Sequence, residues 1–250
     1  MLHGRVRIDV CTCSDHRPST MSISAPSSAT IHPAGGAGLE LLASLAAEHP
    51  LAPACDHFYF LRHGQTGRNA LRIFQAVDEP LSELGLQQAA AAATLLAGEP
   101  IRSIVCSDAR RAFDTAHTVA APHGLTPFPQ PTLRERHFGA LIGTSSLNID
   151  WACEPEGGET LAEFVARKRS ALEAALDQTA PVLVVAHGGT LYVLAGLLGV
   201  PLDARVLGNA MPLRFERNGT TWSVRALADM ADPAGGAARP DAADSGSAIA

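Results

Sequence analysis

The chain has 250 residues, 46% hydrophobic and 18% charged, enough apolar material for the core of one ordinary domain with tails, or at most two small domains. A formal charge of -6 and a pI near 5.9 exclude wholesale nucleic-acid binding through a basic surface, while leaving room for a local basic cleft. No apolar stretch approaches a membrane span, and charges interrupt the N-terminal "MLHGRVRIDVCTCSDHRPST" where a secretory signal needs an unbroken apolar segment, so a cytoplasmic protein without membrane or nucleic-acid partners is expected.

In chain order, residues 1–36 are rich in Ser, Pro, Ala and Gly without hydrophobic periodicity and read as a disordered leader, within which Met21 offers an alternative start. Residues 37–55 read as a short helix and linker: "GLELLASLAAEH" is amphipathic, and Pro50 and Pro53 end it. The body of the chain spans 56–228, and the low-complexity residues 229–250 read as a disordered tail. Cys11, Cys13, Cys55, Cys106 and Cys153 are odd in number and scattered, which favours free thiols in a reducing compartment. Cys11 and Cys13 form a C-x-C pair with no second pair at zinc-site spacing.

Within the body, "HFYFL" reads as a strand, and "SELGLQQAAAAATLLAG" as a helix with Ser82 as N-cap and Gly98 as its stop. "SIVCS" is a second strand, followed by the helix "ARRAFDTAHTVAAPHG", broken by Pro122 and Gly124. In "ETLAEFVARKRSALEAALDQ", Leu161, Phe164, Val165, Leu172 and Leu176 share one helical face, and Glu163 stands four residues before Arg167 in the favourable order for a pair. "PVLVVA" is a continuous apolar strand, the mark of a sheet covered on both faces, and "HGGTLYVLAGLLG" turns into another helix. "PLRFERNGTTWSVRAL" reads as a hairpin around Asn218-Gly219. This alternation predicts an α/β fold: a three-layer α/β/α sandwich with a mostly parallel central sheet and an antiparallel edge hairpin.

In open α/β sheets ligands bind beyond the carboxyl ends of the strands. Three strands deliver polar residues there: Arg62-His63-Gly64, then Ser107 followed by Arg110 and Arg111, then His187-Gly188-Gly189. Taken singly, a histidine at a strand end is an ordinary hydrogen-bonded residue and two arginines are a solvated helix face; His57, His117, His123 and His137 stay in that class. If the three strands are parallel neighbours, two histidines and two arginines converge on one crevice. An uncompensated cation cluster beside a core strand is costly unless an anion completes it.

These residues carry a resemblance. "LRHGQTGRN" resembles the signature of the histidine phosphatase superfamily, also called phosphoglycerate-mutase-like. "DEPLSELGLQQA", "CSDARRAFDTA", "LRERHFG", "GGETLAEF" and "VVAHGGTL" resemble its further motifs in the same order, and the second of these selects Arg111 over Arg110. The resemblance makes 56–228 a histidine phosphatase-like catalytic domain with His63 as the phosphorylated nucleophile, Glu135 as general acid and then base, and Arg62, Arg111 and His187 around the phosphoryl oxygens. Asn69, Gly188, Gln65 and Thr66 complete the expected phosphate- and substrate-binding set. The chemistry agrees: an imidazole attacks phosphorus when one ring nitrogen is unprotonated, and guanidinium forks match the equatorial oxygens. No cofactor or metal is implied, because cationic side chains already supply the positive charge.

The implied activity is metal-independent hydrolysis of a small phosphorylated metabolite. Two alternatives stand beside it: a phosphoglycerate mutase-type transferase, and a non-catalytic phospholigand-binding protein, which loss of either histidine, either arginine or Glu135 would favour. "ERHFGALIG" resembles the mutase stretch E-R-H-Y-G, but Phe138 lacks the tyrosine hydroxyl. The following "TSSLNIDWACEPE" is short, without lysine or arginine, and its Asp150, Glu154 and Glu156 are expected to repel a substrate carboxylate. Gln65 stands where many phosphatases have glutamate, Ala76 where glycine is common, and "GALIG" replaces G-x-W-E-G.

Overall fold

A computed structural model describes residues 38–228; the leader expected over 1–36 and the tail over 229–250 lie outside the described residues. The strands are β1 (His57–Arg62), β2 (Ser103–Ser107), β3 (Phe128–Gln130), β4 (Val182–Ala186), β5 (Pro212–Asn218) and β6 (Thr221–Ala226). They form one sheet in the order β3-β2-β4-β1-β5-β6. The pairs β3-β2, β2-β4 and β4-β1 are parallel, and β5 and β6 add the antiparallel edge. The helices are α1 (Leu39–Ala47), the single turn α2 (Gly67–Ala70), α3 (Glu83–Leu96), α4 (Arg110–Ala120), α5 (Leu161–Leu176) and α6 (Gly188–Leu198).

The layers follow from side-chain alternation. Phe58 and Phe60 of β1, with Val182 and Val184 of β4, pack in one core with α1, α5 and α6. Tyr59 and Leu61, with Leu183 and Val185, pack on the other face with α3 and α4. Every residue of β4 is buried, as its unbroken apolar run requires of a doubly covered strand. The expected α/β/α sandwich is therefore the observed one.

Local sequence explains most boundaries. The Ser82 hydroxyl accepts from the Gly85 N–H at 3.1 Å, capping α3 as expected. Three details differ from expectation. The short β3, absent from the strands expected above, runs through "TPFPQP"; only an edge position tolerates Pro129 within it. In the hairpin, Asn218 pairs with Thr221, so the loop is Gly219-Thr220, with Gly219 at φ +64°. Glu163 does not pair with Arg167. It closes a capping box with Thr160 at the start of α5, while Arg167 binds Glu159 at 2.6 Å.

One contact ties β1 to α3. A Cβ on Gly64 would lie 2.5 Å from the Gly85 carbonyl oxygen, and one on Gly85 would lie 2.0 Å from that of Gln65. The loop leaving β1 thus rests backbone to backbone on the first turn of α3, a distance only glycine permits. Gly85→Ala is expected to destabilise the protein by about 1–3 kcal/mol, read as a lower urea midpoint. Gly98→Ala, whose added carbon meets no atom within 4 Å, should change stability by less than about 0.5 kcal/mol. Similar shifts for both would remove the role given to this contact.

Candidate active site

Strand register assembles the site. Arg62 of β1 is level with Ala186 of β4, and Cys106 of β2 with Val185. The next residues along, His63, His187 and Ser107, therefore emerge together at the carboxyl edge of three neighbouring parallel strands. The His63 N–H extends the ladder by donating to the Ala186 carbonyl at 3.0 Å. Arg111 enters from the first turn of α4, which follows β2 directly.

The two imidazoles lie 5.1 Å apart, ring centre to ring centre, at 63°. His63 Nδ1 is 2.7 Å from the Gly64 carbonyl oxygen. A carbonyl only accepts, so Nδ1 carries the proton and Nε2 keeps its lone pair. Asn209 donates to the His63 carbonyl at 2.9 Å, and the Gly64 N–H donates to the Thr115 hydroxyl at 3.1 Å, which fixes the backbone on both sides. His187 Nε2 meets the Ser107 hydroxyl at 2.9 Å, while its buried Nδ1 has no partner among the described residues.

Arg62 donates to the Leu207 carbonyl at 2.9 Å and Arg111 to the Ala76 carbonyl at 2.8 Å; the Nε of each is buried without a partner. Burial lowers the proton affinity of both guanidiniums, with Glu135 the first opposing influence on each. Burial, then Arg111 and Arg62, holds His63 well below the usual imidazole range. Burial, then Arg111 and His63, does the same to His187. Both rings are neutral imidazoles in the folded protein near neutral pH.

Glu135 faces this cluster with its oxygens accepting from the N–H groups of Arg136 at 3.0 Å and Gly189 at 2.8 Å. A Cβ at Gly189 would stand 2.5 Å from the Glu135 carboxylate, so only glycine admits it there. The loop bearing Glu135 is gripped from α5. Arg167 donates to the Thr132 and Arg134 carbonyls at 2.7 and 2.9 Å. Lys168, fully buried, donates to the same two oxygens and lies 5.3 Å from the centre of the Phe164 ring.

Arg62, His63, Asn69, Arg111, Glu135, His187 and Gly188 line one cavity of about 850 Å³. Gln65 and Thr66 do not. The Gln65 side chain accepts from Ser82, and the buried Thr66 hydroxyl caps α2 and donates to Gln75 at 2.8 Å, so both serve the loop that carries His63. Asp150, Glu154 and Glu156 are absent from the lining too. Asp150 accepts from Ala152 N–H in its own turn, and the segment presents Asn148, Ile149 and Trp151 to the cavity instead. Sequence reading missed Lys168, although it occupies the gap in the apolar face between Phe164 and Leu172. It also missed Trp151 and the buried Arg136, which carry no positional signal. Among the described residues no group of three or more His, Cys, Asp or Glu is placed to hold a metal ion, and no helix is long and apolar enough to cross a membrane.

The buried neutral histidines predict a pH dependence of stability. Below about 6.5, the ordinary histidine value, the unfolded chain binds protons that the native His63 and His187 refuse. Stability is thus complete above that pH and falls on acidification toward the depressed native values, by at most about 1.4 kcal/mol per pH unit for each ring. Urea midpoints between pH 7 and 5 in phosphate-free buffer should fall accordingly, and the His63→Gln/His187→Gln double variant should have a flatter profile. An unchanged slope in that variant would contradict the assignment.

A Mycolicibacterium vanbaalenii glucosyl-3-phosphoglycerate phosphatase is 37% identical over 169 residues, covering 57% of this chain and 74% of the relative. A Yersinia pestis probable phosphoglycerate mutase is 34% identical over 170 residues, covering 58% and 76%. Among solved structures, a mycobacterial glucosyl-3-phosphoglycerate phosphatase in complex with VO3 superposes with a TM-score of 0.58 at 32% identity, covering 69% of this chain and 97% of that one. The family model of the histidine phosphatase superfamily (branch 1) matches residues 58–230, and the chain belongs to that superfamily.

Proposed function

We propose that this histidine phosphatase hydrolyses a small phosphomonoester through a phosphohistidine on His63. The observation that carries the reading is the bond from His63 Nδ1 to the Gly64 carbonyl, which leaves Nε2 with its lone pair in a cavity lined by Arg62, Arg111 and His187. In the first step Nε2 attacks phosphorus, the bond to the ester oxygen breaks, and Glu135 gives the departing alkoxide a proton. In the second, Glu135 takes a proton from water, which attacks the phosphohistidine and releases inorganic phosphate and neutral His63. The guanidinium groups of Arg62 and Arg111, the His187 ring, the Asn69 amide and the α6 N-terminus at Gly188 hold the equatorial oxygens. The charge of the transferring group is met by these side chains, so the steps need no metal.

A mutase would return the phosphoryl group to a second oxygen of a retained substrate. The Yersinia relative and the "ERHFG" stretch favour that reading, but Phe138 removes the hydroxyl. Relatives named as phosphatases support hydrolysis. The sulfhydryls of Cys55, Cys106 and Cys153 are free, which supports a reducing, cytoplasmic setting.

Rapid quench with labelled phosphomonoester should trap acid-labile phosphate on His63, inorganic phosphate should be the main product, and His63→Ala should have no turnover. Substantial activity in a clean His63→Ala preparation would overturn the mechanism. Glu135→Gln should slow alkyl phosphate hydrolysis by about two to four orders of magnitude. The loss should be smaller for an aryl phosphate, whose leaving group needs little protonation; equal losses would make Glu135 structural only.

A further inference from the structure

Besides the cationic cluster, the cavity lining holds apolar side chains that the phosphoryl chemistry does not use, among them Trp151, Phe138 and Leu39. They come from separate places. Leu39 opens α1, which precedes the family-matched region beginning at residue 58. Trp151 belongs to the short segment that carries none of the basic residues expected of a mutase.

These parts pack against one another. A Cβ on Gly38 would lie 2.8 Å from Ala152 N and 3.0 Å from Trp151 Cβ, so the start of α1 rests on the backbone around the tryptophan. Phe138 meets the indole edge-on, with ring centres 5.2 Å apart at 84°. The buried guanidinium of Arg136 donates to the Trp151 carbonyl, to that of Cys153 at 2.6 Å and to that of Glu159 at 2.7 Å. The indole also borders the chemistry: a Cβ at Gly189 would meet the Glu135 carboxylate at 2.5 Å and two indole carbons at 3.0 Å. Apolar side chains packed together beside the acid that protonates the leaving group contact that leaving group with little ordering cost.

We propose that α1 and the Trp151 segment form a leaving-group subsite, selecting phosphomonoesters whose leaving group is cyclic, with an apolar face about the width of a six-membered ring, over short acyclic ones. The inference rests on the hydrolytic reading for its biological meaning, but binding tests it separately. Alkylphosphonates resist hydrolysis, so calorimetric titration of cyclohexylmethylphosphonate and ethylphosphonate isolates recognition from turnover. The unmodified protein should bind the cyclic ligand about ten- to a hundredfold more tightly, the range an apolar pocket contributes. Trp151→Ala and Leu39→Ala should each remove most of that preference while changing ethylphosphonate affinity less than twofold, and Trp151→Phe should retain most of it. The affinity ratio is independent of the fraction of protein that is folded. Equal affinity for both ligands in the unmodified protein, or equal losses for both in the variants, would overturn the subsite. Hydrolysis of the matching phosphate esters reads the catalytic proposal on its own: a protein that prefers the cyclic phosphonate yet cleaves neither ester keeps the subsite and loses the hydrolase.

Discussion

The guanidinium groups of Arg62 and Arg111 share a cavity with one carboxylate. Arg62 and Arg111 each reach a single carbonyl, and each keeps an Nε without a partner. Among the residues lining the cavity Glu135 is the only acid, and its oxygens already accept two backbone N–H groups. Such an arrangement is incomplete by itself, since buried charge is tolerated when paired and hydrogen-bonded. Burial first, and the field of the same arginines after it, keep both imidazoles neutral, which is the state in which one of them can act as a nucleophile. The demand for an outside anion and the readiness of the attacking nitrogen thus arise in the same cavity.

Holding that cluster takes a second layer of cations that stand outside the cavity lining. Arg167 and Lys168 grip the Thr132 and Arg134 carbonyls. Lys168 is unusual in that burial, aided by Arg167, lowers its proton affinity well below the ordinary lysine value, against the pull of Glu135 and Glu159. Backbone oxygens and the Phe164 ring stand in for a carboxylate partner. Side chains from one helix thereby fix the residues leading into Glu135 and, through Arg167, the Glu135 carbonyl itself, and helices are firmer platforms than loops for a group whose position matters to fractions of an ångström.

What could be read from the chain divides along physical lines. Apolar runs ending in Arg62-His63, Ser107 and His187 were legible because strand ends in an α/β sheet are where polar residues become functional, and adjacency of β2, β4 and β1 brought them together. The partners of long polar side chains were not legible. Arg167 had Glu163 at helical spacing and Glu159 outside the helix, and the capping box at Thr160 had already claimed Glu163. The Thr160-x-x-Glu163 pattern was itself a usable signal. Gln65 and Thr66 lie beside His63 in sequence, yet the turn into α2 directs their hydroxyl and amide groups back into the loop. Trp151 and Leu39 reach the cavity through packing between distant segments, and no local pattern encodes that.

The seating of α1 has a consequence for what counts as one cooperative unit. Leu42 and Ala46 are fully buried, and a Cβ on Gly196 of α6 would stand 2.2 Å from the Ala43 carbonyl oxygen, so the two helices touch at their backbones. The helix they cover starts directly after His187, whose carbonyl accepts the first bond of α6 from Leu191 at 3.2 Å. A fragment started where family likeness starts would bare the face of that helix around Gly196 to water. The boundary drawn by ancestry therefore falls inside the boundary drawn by burial, and the helix upstream of the shared domain is part of the same folding reaction.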